Sequence, residues 1–286
     1  MKKVKIILEM IKFEHTVFAL PFAFLGAVLG SLLINGSWPT ASQWLWITLA
    51  MVGARSAAMA LNRVIDAKID KANPRTKERA IPAGLISTFE TTAFIIVSFA
   101  LLFYSAYQLN MLAVYLLPIA VFFLVIYSYT KRFTWACHLV LGVTIGIAPL
   151  GGWVGATGTL TIDAFLLFLG VALWTAGFDV IYATQDAEYD KSVRLYSIPS
   201  YFGIPKALMM AKAIHILSFI AFVSLFFITP LGLIYLVGVL ISGGIMVYEH
   251  SLVKPNDLSK VNVAFFTMNG ILSIVMLVFT IGDLML

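Results

Sequence analysis

Residues 15–54 read HTVFALPFAFLGAVLGSLLINGSWPTASQWLWITLAMVGA, 40 residues without one Asp, Glu, Lys or Arg. A helix needs about 20 residues to cross a hydrocarbon core about 30 Å thick, so this stretch holds two crossings. Gly36 and Pro39 mark the turn between them. Residues 91–130 repeat the pattern and turn at Gln108 and Asn110. Residues 133–178 carry a single charge, Asp163, beside a turn at Gly155–Gly158. Residues 213–248 form a fourth hairpin, turning at Pro230 and Gly232, and 261–282 add one last span. Four hairpins and one span predict an all-α polytopic membrane protein of nine transmembrane helices.

The composition leads to the same class. The chain has 286 residues, 61% hydrophobic and only 12% charged, with a mean hydropathy of +0.96. Soluble proteins carry about 25% charged residues, and no soluble packing of this chain would bury so much apolar surface. An ordinary soluble enzyme, a disordered chain and a nucleic-acid module are excluded. One cysteine, Cys137, excludes a disulfide framework and a zinc site built from several thiolates.

The net charge of +5 matters through its placement. All 19 Lys and Arg fall in the N-terminal segment, in the connections 2–3, 4–5, 6–7 and 8–9, or in the helix ends beside them. Positive connections stay cytoplasmic. The N-terminus is therefore expected inside and the C-terminus outside. Residues 2–14 are too short and too interrupted by Glu9, Lys12 and Glu14 for a signal peptide. Their stripe of Ile6, Ile7, Met10, Ile11 and Phe13 predicts an interfacial amphipathic helix. One membrane domain, 1–286, accounts for the chain.

Acids are not needed to set topology, yet they gather among the bases. Asn62, Asp66 and Asp70 end the second span; Tyr182, Asp186 and Asp190 end the sixth, with Asp179 before them. A step of four puts side chains on one helix face, one turn apart, where like charges repel. The two ladders lie 120 residues apart at every matched rung, which suggests a duplication presenting both to one centre. Four Asp and one Asn amide are hard oxygen donors, with no His or Cys among them, and select Mg²⁺ over zinc or iron. Lys71, Arg75, Lys77 and Arg79 follow the first ladder, Lys131 and Arg132 close the fourth span, and Lys191 and Arg194 follow the second ladder. Metal-binding acids beside Arg forks suit a diphosphate. The plainer reading of the bases alone is a positive cytoplasmic belt.

The run at 55–84, RSAAMALNRVIDAKIDKANPRTKERAIPAG, together with DVIYATQDAEYD at 179–190, resembles the UbiA superfamily of intramembrane aromatic prenyltransferases. The likeness is greatest to its 4-hydroxybenzoate polyprenyltransferase branch and the menaquinone-pathway relatives. IKFEHTVFALPFA at 11–23 and YSYTKRFT at 127–134 extend it. It implies a membrane enzyme, in the inner membrane if bacterial, with an active site at the cytoplasmic helix ends. Its expected partners are the lipid bilayer, a polyprenyl diphosphate and an aromatic acid, in ubiquinone or menaquinone synthesis. It further implies that Asn62, Asp66, Asp70, Asp186 and Asp190 hold Mg²⁺, while Arg75, Arg79 and Lys131 contact diphosphate. Where the family usually has a base after the middle Asp of the first motif, this chain has Ala67, then Lys68. Acceptor alternatives are a hydroxynaphthoate and a porphyrin or chlorophyll ring. From another class, a secondary transporter would place its acids at broken helices near the midplane.

Two charges lie deeper. Arg55 precedes Asn62 by seven residues and Asp179 precedes Asp186 by seven, about 10 Å further into the membrane. Buried charges are paired or used. Either they form one ion pair joining the halves, or Arg55 takes the acceptor's carboxylate and Asp179 stands near its hydroxyl. Tyr127 and Tyr182 are expected along the path of an allylic cation, since ring faces attract cations, or else are interfacial tyrosines. His15 and His138 are expected as capping or headgroup residues.

Overall fold

The computed structural model describes residues 2–11 and 16–286. His15 and the end of the predicted amphipathic helix lie outside these. Among the described residues every regular element is helical, apart from a lone bridge between Lys254 and Asp257. A short α1, Lys2–Met10, is followed by α2, Thr16–Gly30, which runs on as a π-helical turn, Ser31–Asn35. Then come α3, Ala41–Ile65; the short α4, Ala67–Ala72; α5, Thr88–Leu109; α6, Met111–Thr130; α7, Cys137–Thr157; and α8, Ile162–Ala183. The short α9, Ala187–Ser192, and α10, Ile198–Phe202, lead to α11, Ile204–Ile228, and α12, Leu233–Leu252. A second π-helical turn, Val263–Met268, opens α13, Asn269–Leu284. Eight of the described helices are long and apolar enough to cross a membrane, and Leu20–Asn35 is a shorter apolar one.

The predicted turns fall where the chain turns, for local reasons. Gly36 and Gly158 close α2 and α7 at φ +65°, a conformation in which a side chain clashes and glycine does not. Thr40 and Ser87 start α3 and α5 in capping boxes with Gln43 and Glu90, satisfying backbone N–H groups that have no partner in a first turn. Asn110 caps α6.

The long helices close on one another. α3 packs along α5, α6 along α7, α7 along α8, α8 along α11 and α12 along α13, with α2 against both α7 and α13. At the α2–α7 crossing the backbones touch. A Cβ on Gly152 would stand 2.0 Å from the Ala23 carbonyl oxygen, and one on Gly26 2.0 Å from that of Pro149. Small residues at such crossings let apolar helices gain dispersion contact that lipid cannot supply. The largest core cluster, including Phe22, Trp153, Trp174, Phe222, Tyr235 and Leu272, fills the space between α2, α7, α8, α11, α12 and α13. Large apolar side chains such as Tyr115, Phe122, Phe227 and Val247 stay exposed on the outside, the pattern of a lipid-facing surface.

The charged and uncharged connections sort to opposite ends. At one end Asn35 and Gln43 both donate to the Ala156 carbonyl, at 3.2 and 2.8 Å, and Asn110 to that of Val154 at 2.7 Å. At the other, Lys3 pairs with Glu90, Arg63 donates to the Met10 carbonyl, and Tyr196 N–H donates to that of Lys131. Here α1 turns Met10 and Ile11 against Ala60, Ile86 and Ile95 of the protein itself.

Candidate functional site

Both Asp ladders sit where a long helix bends. α3 ends at Ile65 and α8 at Ala183; after each, the chain bends and resumes as a six-residue helix, AKIDKA in α4 and AEYDKS in α9. Asp66 has φ −90° and ψ 1°, and its counterpart Asp186 φ −101° and ψ 2°, the bridge conformation found in turns and active sites. Through the first bend the backbone bonds persist, Asp66 N–H to Asn62 at 2.9 Å and Asp70 N–H to Asp66 at 2.8 Å. The rungs therefore stay a turn apart through the break. The two bent ends meet: the Tyr189 hydroxyl on α9 donates to the Ile69 carbonyl on α4 at 3.1 Å.

Bases satisfy the carboxylates. Buried Asp66 receives Lys131 Nζ at 2.6 Å, Arg132 Nη2 at 2.8 Å and Asn62 Nδ2 at 3.1 Å. Buried Asp70 takes Arg79 Nη1 on both oxygens at 2.8 Å. Arg75 crosses from the first motif to the second, giving Asp186 its Nε at 2.9 Å and its Nη2 as well. Asn73 reaches the same carboxylate at 3.4 Å. Burial works against the Arg75 charge, but the hydrogen bonds and negative charge of Asp186, with Tyr182, hold its pKa above the ordinary value. Asp190 stands beside Asp186 and makes no ion pair among the described residues. Nor do any three His, Cys, Asp or Glu side chains among the described residues lie close enough to hold an ion. The donor chemistry still fits a hard cation, since the acids at both bends are carboxylates and no His or Cys stands in the ladders.

Beneath the bends lies a cavity of about 680 Å³. Arg55, Tyr127, Asp179, Tyr182, Arg75 and Arg79 all line it, so the structure brings the deep pair and two of the three diphosphate candidates to one space, while Lys131 and the four ladder Asp are not among its lining residues. Arg55 and Tyr127 also line a second cavity, of about 240 Å³, walled by Ala, Leu, Ile and Gly of α3, α5, α6 and α7. Tyr127 donates to the Ala58 carbonyl at 3.3 Å inside the bundle, and Tyr182 lies under the Arg75 guanidinium, 5.7 Å from ring centre to Cζ. Neither is simply interfacial.

One expectation is corrected and one narrowed. Arg55 and Asp179 do not pair. Asp179 accepts from His138 at 2.7 Å, while Arg55 has no ion pair among the described residues and its Nε is buried without a hydrogen-bond partner. His138 is a capping residue and not a headgroup one, since it takes the N–H of Ile198, the first residue of α10. It is buried, and its Nε2 accepts from the Ile198 N–H at 3.2 Å. That bond leaves Nδ1 to carry the hydrogen donated to Asp179. Residues that sequence reasoning missed are Arg63 and Asn73, and an aromatic wall of Trp174, Phe178, Phe265 and Phe266, while Arg132 was named among the bases without a role of its own. Arg132 had a signal in the Lys131–Arg132 pair; the apolar rings had none.

Residues 19–271 match the UbiA prenyltransferase family. A 4-hydroxybenzoate octaprenyltransferase of Tolumonas auensis is 30% identical over 171 residues, 60% of each chain. The chain thus spans about 60% of the length of that curated relative. The apo structure of a UbiA homolog from Aeropyrum pernix K1 superposes with TM-score 0.85 at 32% identity, covering 95% of this chain and 98% of that one. A UbiA homolog from Archaeoglobus fulgidus bound to GPP and Mg²⁺ superposes with TM-score 0.76, over 98% of this chain and 100% of the other. At 16% identity it speaks for the fold alone.

Proposed function

Because the chain belongs to the UbiA prenyltransferase family, we propose that this single membrane domain transfers a polyprenyl group from its diphosphate to an aromatic acid of the 4-hydroxybenzoate type, in quinone synthesis. The observation that carries the reading is the cavity of about 680 Å³ beneath the bends. Arg75 and Arg79, which hold Asp186 and Asp70 of the two helix ends, line it together with Asn62, Asp179 and Arg55, whose Nε is buried without a hydrogen-bond partner among the described residues. A transporter's acids would instead sit at midplane breaks, whereas these bends follow the long helices, at the charged end.

Asn62, Asp66, Asp70, Asp186 and Asp190 would hold Mg²⁺, which when bound supplies positive charge against the leaving diphosphate. The bases that now satisfy the carboxylates, Arg75, Arg79, Lys131 and Arg132, are then free to take diphosphate oxygens. Arg55 binds and orients the acceptor carboxylate. Asp179, fixed by the Nδ1–H of His138, accepts the hydrogen of the acceptor hydroxyl. The Ala-lined second cavity holds the start of the prenyl chain, and Tyr127 and Tyr182 flank the cationic carbon where that chain meets the acceptor.

The test uses membranes containing the protein, Mg²⁺, a radiolabelled prenyl diphosphate and a panel of aromatic acids. A labelled prenyl-aromatic product is expected with 4-hydroxybenzoate, lost on EDTA and restored by Mg²⁺ or Mn²⁺. Transfer that survives complete chelation would remove the metal from this reading. The absence of product with every acid and several prenyl lengths would end it.

A further inference from the structure

We infer that Phe265, carried on the π-helical turn Val263–Met268, selects the size of the acceptor ring, and that Asn269 is the residue positioning it. This rests on the acceptor reading above and deepens it.

A π turn inserts one extra residue into a helix and shifts the facing of the positions before it by about 100°. Without that insertion the ring at 265 would leave the cavity face. The wider turn also loosens the backbone pairing, and unpaired carbonyls are costly in a bilayer. Asn269 answers both problems. Its Nδ2 donates to the Phe265 carbonyl at 3.0 Å and to that of Ala264 at 3.2 Å. Its Oδ1 accepts from the Trp174 indole at 2.8 Å, and Glu249 Oε1 on α12 lies 3.4 Å from Nδ2. Asn269, Trp174 and Glu249 are all fully enclosed. One amide therefore fixes the turn to α8 and α12, in a place where water cannot substitute.

The result is an aromatic wall. Phe265 packs on Tyr182 with centroids 4.1 Å apart and ring planes tilted by 32°, and meets the Phe178 edge at 5.3 Å; Phe178 in turn meets Trp174 at 4.9 Å. All four line the cavity that Arg55 and Asp179 share. An aromatic acid held by its carboxylate needs a flat apolar surface for its ring. A ring already filling the space beside that surface sets how many fused rings fit.

The experiment measures equilibrium binding of labelled 4-hydroxybenzoate and 1-hydroxy-2-naphthoate to the purified protein, with transfer kinetics in parallel. Phe265→Ala is expected to shift the preference toward the two-ring acid by about tenfold, the scale of one lost ring contact. The KM for prenyl diphosphate should be unchanged. Asn269→Leu should shift preference in the same direction. Glu249→Gln, whose amide oxygen still accepts from Asn269, should keep the wild-type preference. An unchanged preference in folded Phe265→Ala protein overturns the inference, as does an equal rise in donor and acceptor KM, the mark of a merely structural role. Wild-type protein that binds the acids but transfers nothing would sink the proposed reaction and leave this inference standing on the binding data. Wild-type protein that binds neither acid overturns the inference.

Discussion

Arg55 and Asp66 are opposite cases of a charge inside a helical bundle, and they should respond oppositely to removal. Asp66 is buried against Lys131 and Arg132. Asp66→Ala leaves two cations facing one another without a counter-charge, a loss on the scale of about 3 kcal/mol. Its melting temperature should fall along with turnover for every acceptor. Arg55 has no carboxylate to strand, because Asp179 is held by His138. Arg55→Ala should therefore fold with wild-type yield and melting temperature. It loses a charge-assisted contact to the acceptor worth about 1.5–3 kcal/mol, or roughly ten- to hundredfold in acceptor KM, with donor KM nearly constant. An unstable Arg55→Ala protein with wild-type acceptor KM would end the assignment. At this scale the charged residues that meet at the bends and the cavity were legible as candidates, because an Asp or Arg in an apolar stretch must have a reason to be there. Their partners were not. Arg75 reaches a carboxylate 111 positions away and His138 one 41 away, and spacing along a chain carries no record of such crossings.

The helices themselves were legible from gaps between charges, and their ends from Gly36, Asn110 and Gly158, which the backbone uses as caps. The bends were only half visible. The 120-residue match implied two equivalent ladders, yet nothing in NRVIDAKID distinguishes a straight helix from one that bends at its middle Asp. The π turns were invisible, since a widened turn in an apolar run leaves the pattern of residue types unchanged. Close crossings leave a clearer mark, as glycines in helices that would otherwise prefer alanine. Gly152→Val tests the tightest of them. Its Cβ would meet a backbone oxygen, not a flexible side chain, so α2 must move and draw Phe22 and Leu25 from the core. The cost should reach or exceed the roughly 1–3 kcal/mol typical of overpacking, read as a lower melting temperature in detergent. Gly151→Ala, one residue away with nothing within 4 Å of its Cβ position, should not lower it. Equal destabilisation of both variants would remove the crossing as the cause.

At the scale of the whole molecule, the alternation of charged and uncharged connections is the strongest statement in the sequence, and it makes the nine-crossing topology a measurable claim. Among the described residues eight helices meet the length and hydropathy of a span by themselves. The ninth depends on α2, whose apolar run is lengthened by the π turn at Ser31–Asn35. If α2 crosses, Ser37 and Leu160 lie on one side of the membrane, and Lys77 and Lys254 on the other. All four are exposed, so a cysteine at any of them can react without disturbing the core. In a Cys137→Ser background, a membrane-impermeant maleimide added to intact cells should label cysteines placed at 37 and 160. Cysteines at 77 and 254 should react only after the membrane is opened. The direction follows from the bases: all positive connections gather at the end that carries Lys77 and Lys254, and positive connections are retained in the cytoplasm. Cysteine 37 labelled only after opening, with 160 still labelled in intact cells, would mean that the α2–α3 turn does not reach the outside, and the count would fall. Reversal of all four would keep the count and invert the protein. The bends proposed to bind diphosphate would then lie on the outer side, and the cytoplasmic active site would have to be abandoned with the orientation.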